Sequence, residues 1–304
     1  MTPPSPSNRL DPGPAALTAM AGYVVWGLSP LFYKALAFAS PAEIVLHRAV
    51  WSTPLLLALI VMARRTPQML SVLADRRALL LLSGTAVLIA ANWWVFVFAV
   101  NAGRVLDVSL GYFINPLMNV AVGVFIARER FGPMRAIAVG LAALGVLNLV
   151  LAAGVFPWIG LFLAASFTVY GYLRKTIATD GRVGLFWETA ILFAPSLAAL
   201  VFLEASSGGA FFESWSSAML LMLTGPVTVA PLLFFIIGAR GLAFAVIGVL
   251  QFIAPSLQFA IGIATGEPFT TAHAITFGLI WTGLAVFVAD LLRFERARRR
   301  AETA

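Results

Sequence analysis

No cysteine occurs in the chain, and charge is scarce. Without cysteine there is no disulfide, no thiol nucleophile and no Cys-ligated metal. The only histidines, His47 and His273, lie far apart, which leaves no His-based metal set. P-loops, Gly-x-Ser-x-Gly elbows and His-Glu-x-x-His helices are missing, so neither ATP drive nor the hydrolase chemistry of those motifs is encoded. No cofactor and no metal is expected. Charged residues make up 11% of the 304, against roughly a quarter in a soluble domain, while 61% are hydrophobic. So few polar groups cannot cover a surface in water, and the solvent this composition fits is lipid.

What is present are ten apolar stretches, at 15–37, 43–63, 78–99, 106–127, 134–152, 155–174, 183–204, 215–238, 242–264 and 271–292. Each is near the ~20 residues that a helix needs to cross ~30 Å of hydrocarbon. They lack the alternation of a membrane barrel, so the expected fold is an all-α integral membrane protein with ten transmembrane helices. With the N-terminus inside, seventeen of the twenty Lys and Arg fall in inner segments; Lys34 and Arg104 fall outside and Arg48 within a span. That bias places both termini in the cytoplasm. The net charge of +7 is therefore loop charge facing anionic lipid, and nucleic acid is excluded as a partner.

The chain also repeats itself. Phe113, Ile114, Pro116 and Gly123 recur 139 residues later as Phe252, Ile253, Pro255 and Gly262. Glu129, Phe131, Gly140 and Gly145 recur at an offset of 138 as Glu267, Phe269, Gly278 and Gly283. Five spans per repeat is an odd number, so the second copy enters from the opposite face. The expected organisation is a disordered cytoplasmic lead-in over 1–14, inverted five-helix repeats over 15–152 and 153–292, and a basic cytoplasmic tail over 293–304. No leader peptide is read, because the first span is long and no small-residue cleavage site follows it. The stretch 204–214, with Gly208 and Gly209, reads as a flexible outer loop. Inverted repeats place a solute site near the bilayer midplane, at discontinuous helices in matching positions.

Polar residues inside apolar spans are costly and mark that site. Glu43, His47 and Trp51 share one face of the second span, with Arg48 beside them. An Arg at a helix centre costs roughly 2.5–3.5 kcal/mol, so Arg48 is expected to face a cavity, where it would attract an anionic group such as a carboxylate. Snorkelling is the competing reading, since the outer edge is only ~9 Å away. Glu188 in the seventh span aligns with His47 at an offset of 141. By inversion it lies toward the inner edge, so two separate polar clusters are expected in place of an Arg48–Glu188 pair. His47 and Glu188 are the candidate protonation couplers. Tyr112, Asn115 and Asn119 form a stripe beside Pro116, and Gln251 and Gln258 answer it beside Pro255. Each proline frees a carbonyl at i−4 and predicts a helix kink. Asn92 and Trp93 complete the candidate substrate-binding set as walls. Interhelical hydrogen bonding is the alternative use of the amides.

Several of these segments resemble one family. The run Tyr23-x-x-Trp26-Gly27-x-x-Pro30-x-x-Tyr33-Lys34, Glu43-x-x-x-His47-Arg48, Ala91-Asn92-Trp93, Ala99-Val-Asn101-x-Gly103, Ser109-Leu-Gly-Tyr-Phe-Ile-Asn115-Pro116-Leu and Gln251-Phe-Ile-Ala-Pro255 resembles RarD proteins over roughly residues 17–292. These belong to the EamA branch of the drug/metabolite transporter superfamily. The resemblance implies a ten-helix permease, in a superfamily that carries amino acids, other metabolites and drugs, mostly outward. The expected function is a secondary transporter moving a small polar or amphipathic metabolite or drug by alternating access, as an exporter. Its partners are the bilayer and a small-molecule solute, with monomer and homodimer both open. A channel or non-transporting membrane receptor is the alternative, and an integral-membrane enzyme built on Glu43, His47 and Arg48 comes after it.

Overall fold

A computed structural model of the chain describes residues 12–125, 132–152, 154, 156–206, 208–239, 242 and 244–303. Among these there is no strand. The helices are α1 (Pro12–Ala35), α2 (Pro41–Met62), α3 (Thr66–Ser71), α4 (Arg76–Asn101), α5 (Val105–Phe125), α6 (Pro133–Ala152), α7 (Trp158–Lys175), α8 (Gly181–Ala205), α9 (Trp215–Ala239), α10 (Phe244–Leu250), α11 (Ile253–Ala264) and α12 (Thr271–Thr303). Continuous apolar runs make them helical in a solvent that cannot satisfy a free backbone. Polar caps start several of them. Ser40 accepts from the Glu43 amide ahead of Pro41, Asp75 from Ala78 and Asp180 from Arg182.

Eight segments are long and apolar enough to cross a membrane: α1, α2, α4, α6, α8, α9, the stretch Val246–Ala264 and the first part of α12. A shorter apolar helix, Val105–Ala121, lies within α5, and α7 is 18 residues long with Arg174 and Lys175 in its last turn. Two expectations about the ends change. Pro12 and Pro14 open α1, so the lead-in does not reach residue 14; residues 1–11 lie outside the described chain. Proline fits there because first-turn amides have no helical partner anyway. At the other end the basic stretch continues α12 to Thr303. Arg128, Glu129, Arg130 and Arg240 lie outside the described residues.

The packing has a pattern that the sequence repeat anticipates. Pair each helix with the one at the matching place in the other half: α1 with α7, α2 with α8, α4 with α9, α5 with α10–α11, and α6 with α12. Then α2 packs on α8, α5 on α11 and α6 on α12, each against its own counterpart. The remaining large contacts come in exchanged pairs: α1 on α9 and α7 on α4, α2 on α9 and α8 on α4, α1 on α11 and α7 on α5. Small residues let these backbones approach. A Cβ on Gly111 would stand 2.6 Å from the Gly160 carbonyl between α5 and α7, and one on Gly225 2.7 Å from the Trp51 carbonyl between α9 and α2.

The two prolines of the repeat behave differently. α5 runs through Pro116 as one helix, whereas the ninth apolar stretch breaks at Gln251–Phe252, just before Pro255. Pro255 has no N–H for the Gln251 carbonyl, and the ladder slips to an i−3 bond from Phe252 to Val249, 3.2 Å.

Candidate functional site

Arg48 sits one residue beyond two turns into α2 and is 7% exposed. Its Nε donates to Thr228 Oγ1 on α9, 3.1 Å away. Its guanidinium carbon lies 4.2 Å from the ring centre of Trp93 on α4 and 5.1 Å from that of Tyr33 on α1. Arg48 has no ion pair among the described residues. Aromatic rings attract a cation that lies over their faces. They supply no acceptor at its edge, where the Nη donors point.

Glu188 holds the matching position in α8, its eighth residue, and is wholly buried. Thr85 Oγ1 on α4 donates to its Oε1 at 2.7 Å, and the Tyr170 hydroxyl on α7 donates to its Oε2 at 3.0 Å. Arg174, also on α7, brings Nε to 3.5 Å from Oε1. The Arg174 guanidinium lies flat on Gly184, where a Cβ would overlap it. Both clusters follow one plan: the second helix of a half, the first helix of the same half and the third helix of the other. They do not meet as an ion pair.

His47 and Glu43 face the segment 208–211, which two carboxylates hold. Glu43 Oε1 accepts from the Ala210 amide at 2.7 Å, and Glu204 Oε1 from the Phe211 amide at 3.0 Å. These bonds seat Phe211 on the His47 ring, centroids 5.1 Å apart, and close to Trp51. The Trp51 indole donates to His47 Nδ1 at 3.1 Å, so the ring proton resides on Nε2, which is buried without a partner. Gly208 and Gly209 suggested slack, but two carboxylates binding loop amides tie the segment down.

The amide stripe is divided. Asn119 Nδ2 donates to Asn115 Oδ1 at 3.0 Å; Asn115 is buried with its own Nδ2 unpartnered, and Asn119 is exposed. Gln258 is buried, reaches the Trp26 carbonyl at 3.4 Å and leaves Oε1 unpartnered. The Gln251 side chain donates to the Gly248 carbonyl of its own turn, 3.0 Å, at the break before Pro255. Tyr112 is half-buried edge-on to Phe96, which also meets Tyr33, so this stripe adjoins the Arg48 cluster. Ser109 Oγ on α5 donates to the Pro255 carbonyl at 2.8 Å. Asn92 instead joins helices: its amide donates to Ser166 Oγ at 2.8 Å and to the Leu163 carbonyl at 3.2 Å. Sequence reasoning does not reach Tyr33, Thr228, Thr85 or Arg174 as members of these clusters; only the buried charge of Arg48 and Glu188 signals that partners exist. No group of His, Asp and Glu among the described residues is arranged for a metal. A cavity of about 220 Å³ lies elsewhere, lined by Arg104, Asp107, Glu267 and His273 among others. There Glu267 caps the start of α5 through the Val105 and Leu106 amides, 2.7 and 2.8 Å.

Residues 13–151 match the EamA-like transporter family. An uncharacterized transporter of Vibrio cholerae is 39% identical over 97% of this chain and 98% of its own. Protein RarD of Escherichia coli is 36% identical over 92% and 95%. The chloramphenicol-sensitive protein RarD of Pseudomonas aeruginosa is 30% identical over 95% and 98%. A solved crystal structure with 19% identity superposes at a TM-score of 0.58 over 92% of this chain and 98% of its own, which shows the fold alone. With its multiple apolar helices, the chain belongs to the RarD family of EamA-type permeases, multi-pass transporters of bacterial membranes.

Proposed function

We propose that the chain is a secondary transporter whose ten spans form two inverted repeats, 15–152 and 153–292, rocking about a small polar or amphipathic solute. α5 and α7 complete the ten. Both termini lie in the cytoplasm and net movement is outward across the inner membrane. The observation that carries this reading is the exchanged packing: nearly every large contact joins one half to the other, and each has its mirror under the repeat pairing. Such a bundle has its principal interface between the halves, which is where alternating access needs it. The solute is held between α2, α4, α5, α8 and α11. Arg48, Tyr112, Asn115, Asn119 and Gln258 supply polar contacts, Gln251 sits at the break and Trp93 forms a wall. His47 and Glu188 mark the outer and inner ends. Asn92 keeps the frame. A channel would have a continuous conducting pore, and an enzyme a reactive cluster open to its substrate. The tied Phe211 over His47 favours neither.

Proteoliposomes test this reading. Vesicles preloaded with members of a metabolite and antibiotic library, chloramphenicol included, are expected to give saturable uptake that speeds up when solute is present on the far side. Ion-like flux without saturation would assign a channel. Covalent change of a solute, lost in H47A, would assign an enzyme. Asn115→Leu and Gln258→Leu are expected to abolish exchange while leaving the protein inserted and monodisperse.

A further inference from the structure

We infer that the transported solute is an organic monoanion whose carboxylate completes the coordination of Arg48, an inference that rests on the transporter reading above and narrows it to a substrate class. Arg48 is 7% exposed, yet its only hydrogen bond among the described residues is Nε to Thr228, 3.1 Å. Trp93 at 4.2 Å and Tyr33 at 5.1 Å pack against the guanidinium, and its Nη donors make no hydrogen bond among the described residues. A planar fork packed against aromatic rings can take a ligand at its remaining Nη donors, and the group that matches them is a planar oxyanion. One unpaired cation balances one negative charge. Of the other buried charges, Glu188 already has Arg174, and Glu43 accepts from the Ala210 amide. A dianionic phosphate would leave excess charge in a low-dielectric site, where an unpaired charge is expensive. The walls are Tyr33, Trp93, Phe96 and Tyr112, so the rest of the solute is apolar or aromatic. The unpartnered Asn115 amide, one turn along α5 from Tyr112, offers a further polar contact on that body.

The test uses full-length protein purified in zwitterionic detergent, with matched pairs as probes: benzoate against benzamide, and hexanoate against hexanamide. Each acid is expected to raise the unfolding midpoint, while its amide, equal in shape and without charge, leaves it unmoved. Arg48→Gln is expected to erase the effect, and Arg48→Lys to weaken acid binding about tenfold, because the charge stays and the fork goes. If Arg48→Gln is not monodisperse, the Lys variant carries the test, and unchanged affinity there overturns the proposal. Equal stabilisation by amides, stabilisation by neither series, or stabilisation by inorganic phosphate or phosphatidylglycerol in place of the acids overturns it as well; the last would make the site a lipid-headgroup seat. Vesicle exchange separates the two claims. Acids that bind without exchanging would sink the transporter reading and keep the anion site. Amides that exchange while acids do not would sink the anion site and keep the transporter.

Discussion

Arg48 and Glu188 are each the eighth residue of matching helices, yet among the described residues only Glu188 is paired with an opposite charge. Glu188 receives two hydroxyl donors and a guanidinium; Arg48 receives one hydroxyl oxygen and two aromatic faces. The difference teaches how a buried charge reveals its use. A charge neutralised by its own chain belongs to the frame, and truncating its partner leaves an uncompensated ion. A buried charge without an opposite charge from its own chain is prepared for something the chain does not supply.

Breaking the paired cluster should cost most. Glu188→Leu strands Arg174 and is expected to lower stability by about 3–5 kcal/mol, with Arg174→Leu similar and the double variant recovering a large part. Unfolding in detergent measures all three, and additive losses would mean that the pair does not interact. Thr85→Val, which removes one donor to the carboxylate, is expected to cost about 1.5–3 kcal/mol. The Arg48 cluster should behave in the opposite way. Arg48→Met removes a charge that no partner balances, so stability should change by less than about 1 kcal/mol while exchange disappears. A loss as large as that of Glu188→Leu would mean that Arg48 belongs to the frame. Asn92→Leu is the smallest expected effect, about 0.6 kcal/mol, the average for an interhelical hydrogen bond, with exchange retained. Loss of exchange in a stable Asn92→Leu protein would return that residue to the solute.

The helices were legible in the sequence because lipid leaves a continuous apolar run few alternatives. The break before Pro255 was legible for the same reason, since a missing amide cannot be replaced by water in hydrocarbon. Why α5 runs on through Pro116 was not legible; its sequence is as strong a signal as that of Pro255. Buried charge pointed to Arg48 and Glu188, but not to their partners. Thr228 is 180 residues from Arg48, and nothing local to a threonine announces such a contact. Asn92 shows the same: its amide reaches Ser166 Oγ and the Leu163 carbonyl, 74 and 71 residues away. The segment 208–211 also hid its partners. Two glycines and a polar run suggest slack, while the restraint comes from Glu43 and Glu204 binding amides at 210 and 211. In each case the local cost was readable, and the distant group that met it was not.

One measurement bears most directly on the contrast between the clusters: the unfolding midpoint of wild type, Arg48→Met and Thr85→Val, each with and without saturating benzoate. A ligand at 100 times its Kd adds ~2.7 kcal/mol of apparent stability, a readily seen shift. The account predicts that shift in wild type and in Thr85→Val, from its lower starting point, and none in Arg48→Met. A shift in Arg48→Met equal to that of wild type would contradict it.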